Sequence, residues 1–178
     1  MTRVAIIGAG ISGLACARQL VKAGVSVVVF DKGRGIGGRV ATRRAGDLQF
    51  DHGAPFVRAQ RDDFSALLTS LTGGGSAASW TDDKGVTWTV GSPGMSAIPK
   101  AMGVGLDVRL GTQILKVTAD QFGWHLHYGE TQYVATHIVV TVPKPQIAGL
   151  LDYAHPLVAQ LGDVKMEPGL TLMAAVSG

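Results

Sequence analysis

A chain of 178 residues with 46% hydrophobic side chains, only 16% charged ones and a mean hydropathy of +0.24 is too apolar to be disordered or to coat a nucleic acid, and it is long enough for a real core. The net charge of +3, from 16 basic and 13 acidic residues, reflects a shortage of acids rather than a basic tract. One cysteine, Cys16, excludes a disulfide framework and a cysteine-based metal site, and it reads as a buried, inert thiol.

Val4 to Ile7 is a short apolar run that predicts a parallel strand buried on both faces. Gly8 starts a turn, and from about Ser12 to Ala23 the apolar spacing is helical, with Gly24 at the C′ position. Val25 to Phe30 is a second apolar, β-branched run closed by Asp31, so the first 31 residues read as a βαβ unit. The glycines at 8, 10 and 13 interrupt the N-terminal apolar segment, which argues against a signal peptide. No stretch reaches about 18 uninterrupted apolar residues. A soluble, cytoplasmic chain without a membrane partner is the expectation.

Residues 32–55 predict loop, 63–71 a helix, and Gly73, Gly74 and Gly75 a flexible tip. A strand at 86–90, a Gly-Ser-Pro-Gly turn and a short helix from about 95 follow. Four alternating runs, 106–110, 113–119, 123–128 and 131–135, predict an antiparallel meander. The apolar run 137–143 predicts a return to the parallel sheet, followed by two short helices and a strand toward the C-terminus.

Gly8-Ala-Gly10-Ile-Ser-Gly13 fits G-x-G-x-x-G between a predicted strand and a predicted helix, with Asp31 closing the next strand 18 residues later. In that setting the glycines allow a tight turn, approach of a pyrophosphate to Gly10, and close packing at Gly13. The helix N-terminus offers unpaired N–H groups to the phosphates, and Asp31 is placed to accept from ribose hydroxyls. A second stretch, "DKGRGIGGRV", puts Gly33, Gly35, Gly37 and Gly38 within six residues, with Arg34 and Arg39 among them. Glycine backbone can fold close over a long ligand, and both arginines can neutralise diphosphate charge. Two adjacent glycine cradles suit FAD. Arg39, Arg43 and Arg44 form the only local basic cluster, read either as a solvated turn or as a phosphate neighbour.

"VAIIGAGISGLACARQL", "VVVFDKGRGIGGRVATRR" and "FDHGAPF" resemble the start of the flavin amine-oxidase superfamily, and "VGSPGMSAIPKAM" with "VVTVPKPQIAGLL" resembles its bacterial renalase-like branch. The resemblance implies an α/β, Rossmann-like FAD-binding domain with a parallel central sheet and an antiparallel meander, plus the start of a substrate domain. It implies that Gly8, Gly10, Ile11, Ser12 and Gly13 hold the pyrophosphate, that Asp31 binds the adenosine ribose with Lys32 beside it, and that Arg34, Gly38 and Arg39 complete the phosphate side. Ala54, Pro55 and Phe56 would lie along the isoalloxazine ring, Ile114 would be the backbone partner of adenine, and Phe56, Val57, Arg58, Ala59 and Gln60 would face the substrate. Segments 1–71, 72–105, 106–150 and 151–178 would be, in turn, the FAD-binding part, the start of a substrate-side segment, the meander with its return, and the opening of a substrate domain.

The implied activity is oxidation of isomeric dihydro-NAD(P), in its 2- or 6-dihydro forms, to NAD(P)⁺ with O₂ giving H₂O₂. An amine oxidase, an inactive FAD- or nucleotide-binding fragment and a plain NAD(P)-dependent dehydrogenase are the alternatives. The resemblance covers about the N-terminal half of such a protein. Exposed apolar surface is therefore expected to meet a C-terminal half or a second copy, alongside a small-molecule substrate and no nucleic acid. His52, His125, His127, His137 and His155 do not cluster at metal-ligand spacing, so no metal is expected, and His52 reads as a structural hydrogen-bonding residue. The serines lack a nucleophile elbow, and Trp80, Trp88 and Trp124 read as core or sheet-face residues.

Overall fold

The structure, a computed structural model, describes residues 1–175. In chain order it contains β1 (Arg3–Ile7), α1 (Ile11–Lys22), β2 (Ser26–Phe30), β3 (Thr42–Ala45), β4 (Leu48–Asp51), α2 (Asp62–Gly73), β5 (Ala77–Thr81) and β6 (Thr87–Gly91). These are followed by α3 (Ala97–Gly103), β7 (Val108–Arg109), β8 (Lys116–Asp120), β9 (Gly123–Tyr128), β10 (Thr131–Ala135), β11 (His137–Val140), α4 (Lys144–Leu151) and α5 (Pro156–Gln160). The described chain divides into two compact units, one of residues 1–38 and 105–169, the other of residues 39–104 and 170–175.

The first unit is built on a parallel sheet of order β11-β1-β2-β7. Residues 4–7 of β1 and 28–30 of β2 are buried on both faces, as an interior parallel strand requires, while Val25 and Val27 are half-buried and Ser26 is exposed. Ala5, Ile7, Val28 and Phe30 face a core shared with Ile114, Val117, Leu126, Ala135, Leu150 and Leu151. Val4, Ile6 and Val29 are buried as well, and α1 packs against β1 and β2 through Leu14 and Ala17. Phe30 also meets Tyr133 edge-on at 5.3 Å and Tyr128 at 5.8 Å, an arrangement favoured by the aromatic quadrupole.

The meander is three-stranded, β10-β9-β8, rather than four-stranded. Its expected first member, 106–110, instead supplies β7, whose Val108 and Arg109 pair in parallel with Val29 and Phe30. Alternation over so few residues cannot distinguish the two ladders.

His125 on β9 has an acceptor on each neighbouring strand. Its Nδ1 is 3.1 Å from Gln132 Oε1, and its Nε2 makes an ion-pair contact of 3.0 Å with Asp120 Oδ1 without a well-directed hydrogen bond. The Asp120 carboxylate raises the His125 pKa above its ordinary value, and His125, followed by the Phe122 N–H, lowers that of Asp120. The imidazolium therefore contributes stability that is complete below about pH 6.5 and is lost as pH rises through the elevated folded-state value. The carboxylate contribution is present above about pH 4 and is lost as pH falls through the lowered value. An NMR titration should place the His125 midpoint above about 6.5, and Asp120→Asn should move it down. An unmoved midpoint in that variant would show that the carboxylate is not the cause.

The second unit holds two hairpins. Residues 42–51, expected as loop, form β3 and β4 around Gly46 and Asp47. Their strands carry no apolar alternation: Arg43 and Arg44 are exposed, so the usual signal is missing. Polar contacts supply the cohesion, with Thr42 Oγ1 donating to Asp51 Oδ1 at 2.5 Å and Gln49 Nε2 to the Pro93 carbonyl at 2.6 Å. The β5–β6 hairpin pairs Trp80 with Trp88, and its turn is organised by Asp82, whose carboxylate accepts from the Trp88 indole and from the Lys84 and Val86 amides.

The glycine triplet is not a free tip. Gly73 ends α2, and the amides of Gly74, Gly75 and Ser76 return to the carbonyls of Ser70, Thr72 and Leu71, with Gly75 at φ +74° as a helix C-terminus demands. No strand forms over residues 169–175, and the remainder of that expected strand, 176–177, lies outside the described residues. Among the described residues no helix is long and apolar enough to cross a membrane.

Candidate functional site

The first unit brings its two glycine stretches side by side. The Gly37 N–H donates to the Ala9 carbonyl at 3.0 Å, Gly10 and Gly37 form a parallel bridge, and a Cβ built on Gly38 would lie 3.5 Å from the Gly10 Cα. Asp31 holds both stretches together. Its Oδ2 accepts from the Ala9 N–H at 2.6 Å and its Oδ1 from the Gly33 N–H at 2.7 Å. A carboxylate offers about four acceptor directions, so two remain for other donors such as ribose hydroxyls. Sequence reasoning singled out Asp31 from its place at the end of β2 and did not anticipate these contacts to Ala9 and Gly33. The turn that follows β7 carries the arrangement further, with Thr112 N–H donating to the Asp31 carbonyl and Gly111 N–H to that of Gly33, each at 2.9 Å.

The three motif glycines meet different surroundings. Gly8 turns at φ +112°, a value that side-chain-bearing residues rarely adopt, and its N–H donates to the Phe30 carbonyl at 2.8 Å. A Cβ on Gly13 would overlap the Gly8 carbonyl oxygen, so the helix can sit this close to the turn only without a side chain there. Gly10 is the opposite case: a Cβ at that position would meet nothing within 4 Å, and its backbone (φ −76°, ψ 176°) suits any residue. Among the described residues no protein contact requires a bare Cα at Gly10.

Helix α1 begins at Ile11 with no side-chain cap and no acidic residue in its first turn, and Ser12 is exposed there. The first-turn N–H groups thus have no capping or acidic side chain from the helix itself, and the helix dipole places partial positive charge there. Lys32 and Arg34 are exposed on the second glycine loop. Ile114 is buried in the same core as Ile7 and Phe30, and among the described residues its own backbone N–H and C=O enter none of the turn and loop hydrogen bonds. Cys16 is half-buried and free.

The other candidates lie in the second unit. Arg39 is exposed, and its carbonyl accepts from the Ala54 N–H at 3.0 Å, so the segments around 39 and 54 run together. Pro55 is exposed. Phe56 packs on Trp88 with ring centroids 4.2 Å apart and planes tilted by 35°, and the Arg58 guanidinium lies 5.9 Å from the centroid of that indole ring. Between them Val57 exchanges both backbone hydrogen bonds with Thr89, at 2.8 and 3.3 Å, adding a third strand-like segment to the β5–β6 hairpin. Ala59 is half-buried and Gln60 exposed. His52 lacks the hydrogen bond expected of it: Nδ1 is buried without a partner among the described residues.

Residues 6–71 match the NAD(P)-binding Rossmann-like domain family. Over 68 residues the chain is 40% identical to a Mycobacterium tuberculosis protein named as a flavin-containing monoamine oxidase, AofH, a match covering 38% of this chain and 15% of that one. It is 36% identical over 69 residues to protoporphyrinogen oxidase 2 of Arabidopsis thaliana, covering 39% of this chain and 14% of the relative. Among solved structures, cyclohexylamine oxidase from Brevibacterium oxydans superposes with a TM-score of 0.74 at 17% identity, over 90% of this chain and 62% of that one. A putrescine oxidase variant superposes with a TM-score of 0.69 at 16% identity, over 87% and 62%. The chain therefore spans less than two thirds of the proteins it matches, and the structural likenesses bear on fold alone. By motif, geometry and family match, residues 6–71 are similar to the NAD(P)-binding Rossmann-like domain family, and the relatives matched over this stretch include proteins named as a flavin-containing monoamine oxidase and a protoporphyrinogen oxidase.

Proposed function

We propose that the chain binds FAD and is the dinucleotide-holding part of a flavin-dependent oxidoreductase. The adjacency of the two glycine stretches, joined by the Gly37–Ala9 hydrogen bond and the Asp31 carboxylate, carries this reading. The fit is testable on the protein's own atoms. An open Cα at Gly10 and an uncapped helix end suit a diphosphate, and the free acceptor directions of Asp31 suit a ribose. In this reading Gly8, Gly10, Ile11, Ser12 and Gly13 hold the diphosphate, with Gly38, Lys32, Arg34 and Arg39 on its charged side. Asp31 orients the ribose, and the unengaged backbone of Ile114 meets the adenine edge.

Ala54, Pro55 and Phe56 are assigned to the flavin ring, and Phe56, Val57, Arg58, Ala59 and Gln60 to the substrate. The ordered packing of Phe56, Trp88 and Arg58 supports the latter assignment, because it presents aromatic and cationic surface on a fixed backbone. When bound, the flavin supplies two-electron oxidation, which for a 2- or 6-dihydro-NAD(P) substrate yields NAD(P)⁺ while O₂ becomes H₂O₂. That substrate class follows from the resemblance of 90–102 and 139–151 to the renalase-like branch. An amine substrate is the second reading, favoured by the names of the relatives.

Reconstitution with FAD should give a yellow protein with a flavin spectrum. Its peroxide production should then be compared with dihydronicotinamide isomers and with primary amines. Peroxide from amines alone would replace the first substrate class by the second. A colourless protein that binds NADH and no flavin would overturn both.

A further inference from the structure

We propose that Thr141 is a positioning residue for the dinucleotide, an inference that rests on the binding role proposed for the glycine turn. Thr141 is the only hydroxyl-bearing residue in the apolar run 138–143. Inside such a strand a hydroxyl is unfavourable unless it is hydrogen-bonded. Here it is: Thr141 follows the last β11 residue, its N–H extends the ladder to the Ile7 carbonyl at 2.9 Å, and its Oγ1 lies 3.1 Å from that carbonyl and 3.0 Å from the Gly8 carbonyl. One hydroxyl proton is shared between two acceptors, one at the end of β1 and one in the turn itself.

This contact fixes the peptide that matters most. Gly8 donates to Phe30 on one neighbouring strand, and its carbonyl accepts from Thr141 on the other. Both of its peptide groups are thereby held. Gly13 rests on that same carbonyl, and a Cβ at Gly13 would also come within 2.9 Å of Thr141 Oγ1. A Cβ at Gly8 would come within 2.7 Å of it. The hydroxyl is therefore the floor on which the turn and the first turn of α1 are set. Its loss would let the Gly8 carbonyl swing and move the helix amides away from a bound diphosphate. Thr141 touches no ligand itself, so it acts through Gly8 and Gly13.

The test compares Thr141→Val, which keeps the shape and removes the hydroxyl, with Thr141→Ser, which keeps the hydroxyl. Thr141→Val should raise the FAD dissociation constant about tenfold and alter the visible circular dichroism of bound flavin, while Thr141→Ser should stay within about twofold of wild type. Amide hydrogen exchange, read without ligand, should quicken at Gly8, Ala9 and Gly37 in the valine variant and remain unchanged at Leu126 and Tyr133. Equal slowing or quickening across all of these amides would indicate general destabilisation and overturn the proposal, as would wild-type exchange and affinity in Thr141→Val. If the wild-type protein binds no FAD, the binding role fails. The exchange pattern then decides Thr141's hold on the turn: quickening confined to Gly8, Ala9 and Gly37 upholds it, and its absence overturns it.

Discussion

Gly10→Ala is expected to weaken FAD binding by about a hundredfold while leaving the melting temperature within a few degrees of wild type. The backbone at Gly10 is extended and a Cβ there meets nothing within 4 Å, so the folded protein accepts the methyl group. The change at the helix N-cap costs the fold about 1 kcal/mol or less. A diphosphate approaching the same point would be held off the α1 amides, losing one or two charge-assisted hydrogen bonds worth about 1.5–3 kcal/mol each. Gly13→Ala makes the contrast. Its Cβ would overlap the Gly8 carbonyl, so the helix must move off the turn at a cost of about 1–3 kcal/mol or more, and stability and binding should fall together. Thermal melts and flavin-fluorescence titrations of both variants check this. Wild-type binding by Gly10→Ala would mean that its open space is not where the ligand lies.

Asp31→Ala is expected to cost about 2–3 kcal/mol of stability and to abolish binding, because two part-buried amides, Ala9 and Gly33, lose their charged acceptor. The two glycine stretches also lose the side chain that joins them. Asp31→Asn should fall between, since its amide oxygen can satisfy one of the two N–H groups while its NH₂ opposes the other. Urea unfolding beside the binding titration separates the roles. A variant that unfolds like wild type yet binds nothing would show that the carboxylate serves the ligand alone.

The central sheet and its turn were legible because each local signal agreed with the fold. The apolar runs of β1 and β2 supply the buried centre of the sheet, the half-buried run of β11 lines its edge, and the glycines sit where strand becomes helix. Asp31 was found by its position, while its hold on Ala9 and Gly33 was not, because that contact depends on where the second loop returns. Thr141 stands some 130 residues from Gly8, and its only signal was a hydroxyl in an apolar strand. The β3–β4 hairpin was missed because side-chain contacts from Thr42, Gln49 and Asp51 hold it, not an apolar face. The stretch 106–110 was assigned to the wrong ladder because only Val108 and Arg109 of it pair, and two residues show no periodicity.

The central claim is that backbone from both glycine stretches holds one diphosphate. Titrating isotope-labelled protein with FAD and following backbone amide resonances tests it most directly. The amides of Ile11, Ser12 and Gly13 should shift together with those of Gly35 to Gly38, at the same ligand concentration. Shifts confined to one stretch, or saturating elsewhere while these amides stay still, would contradict it.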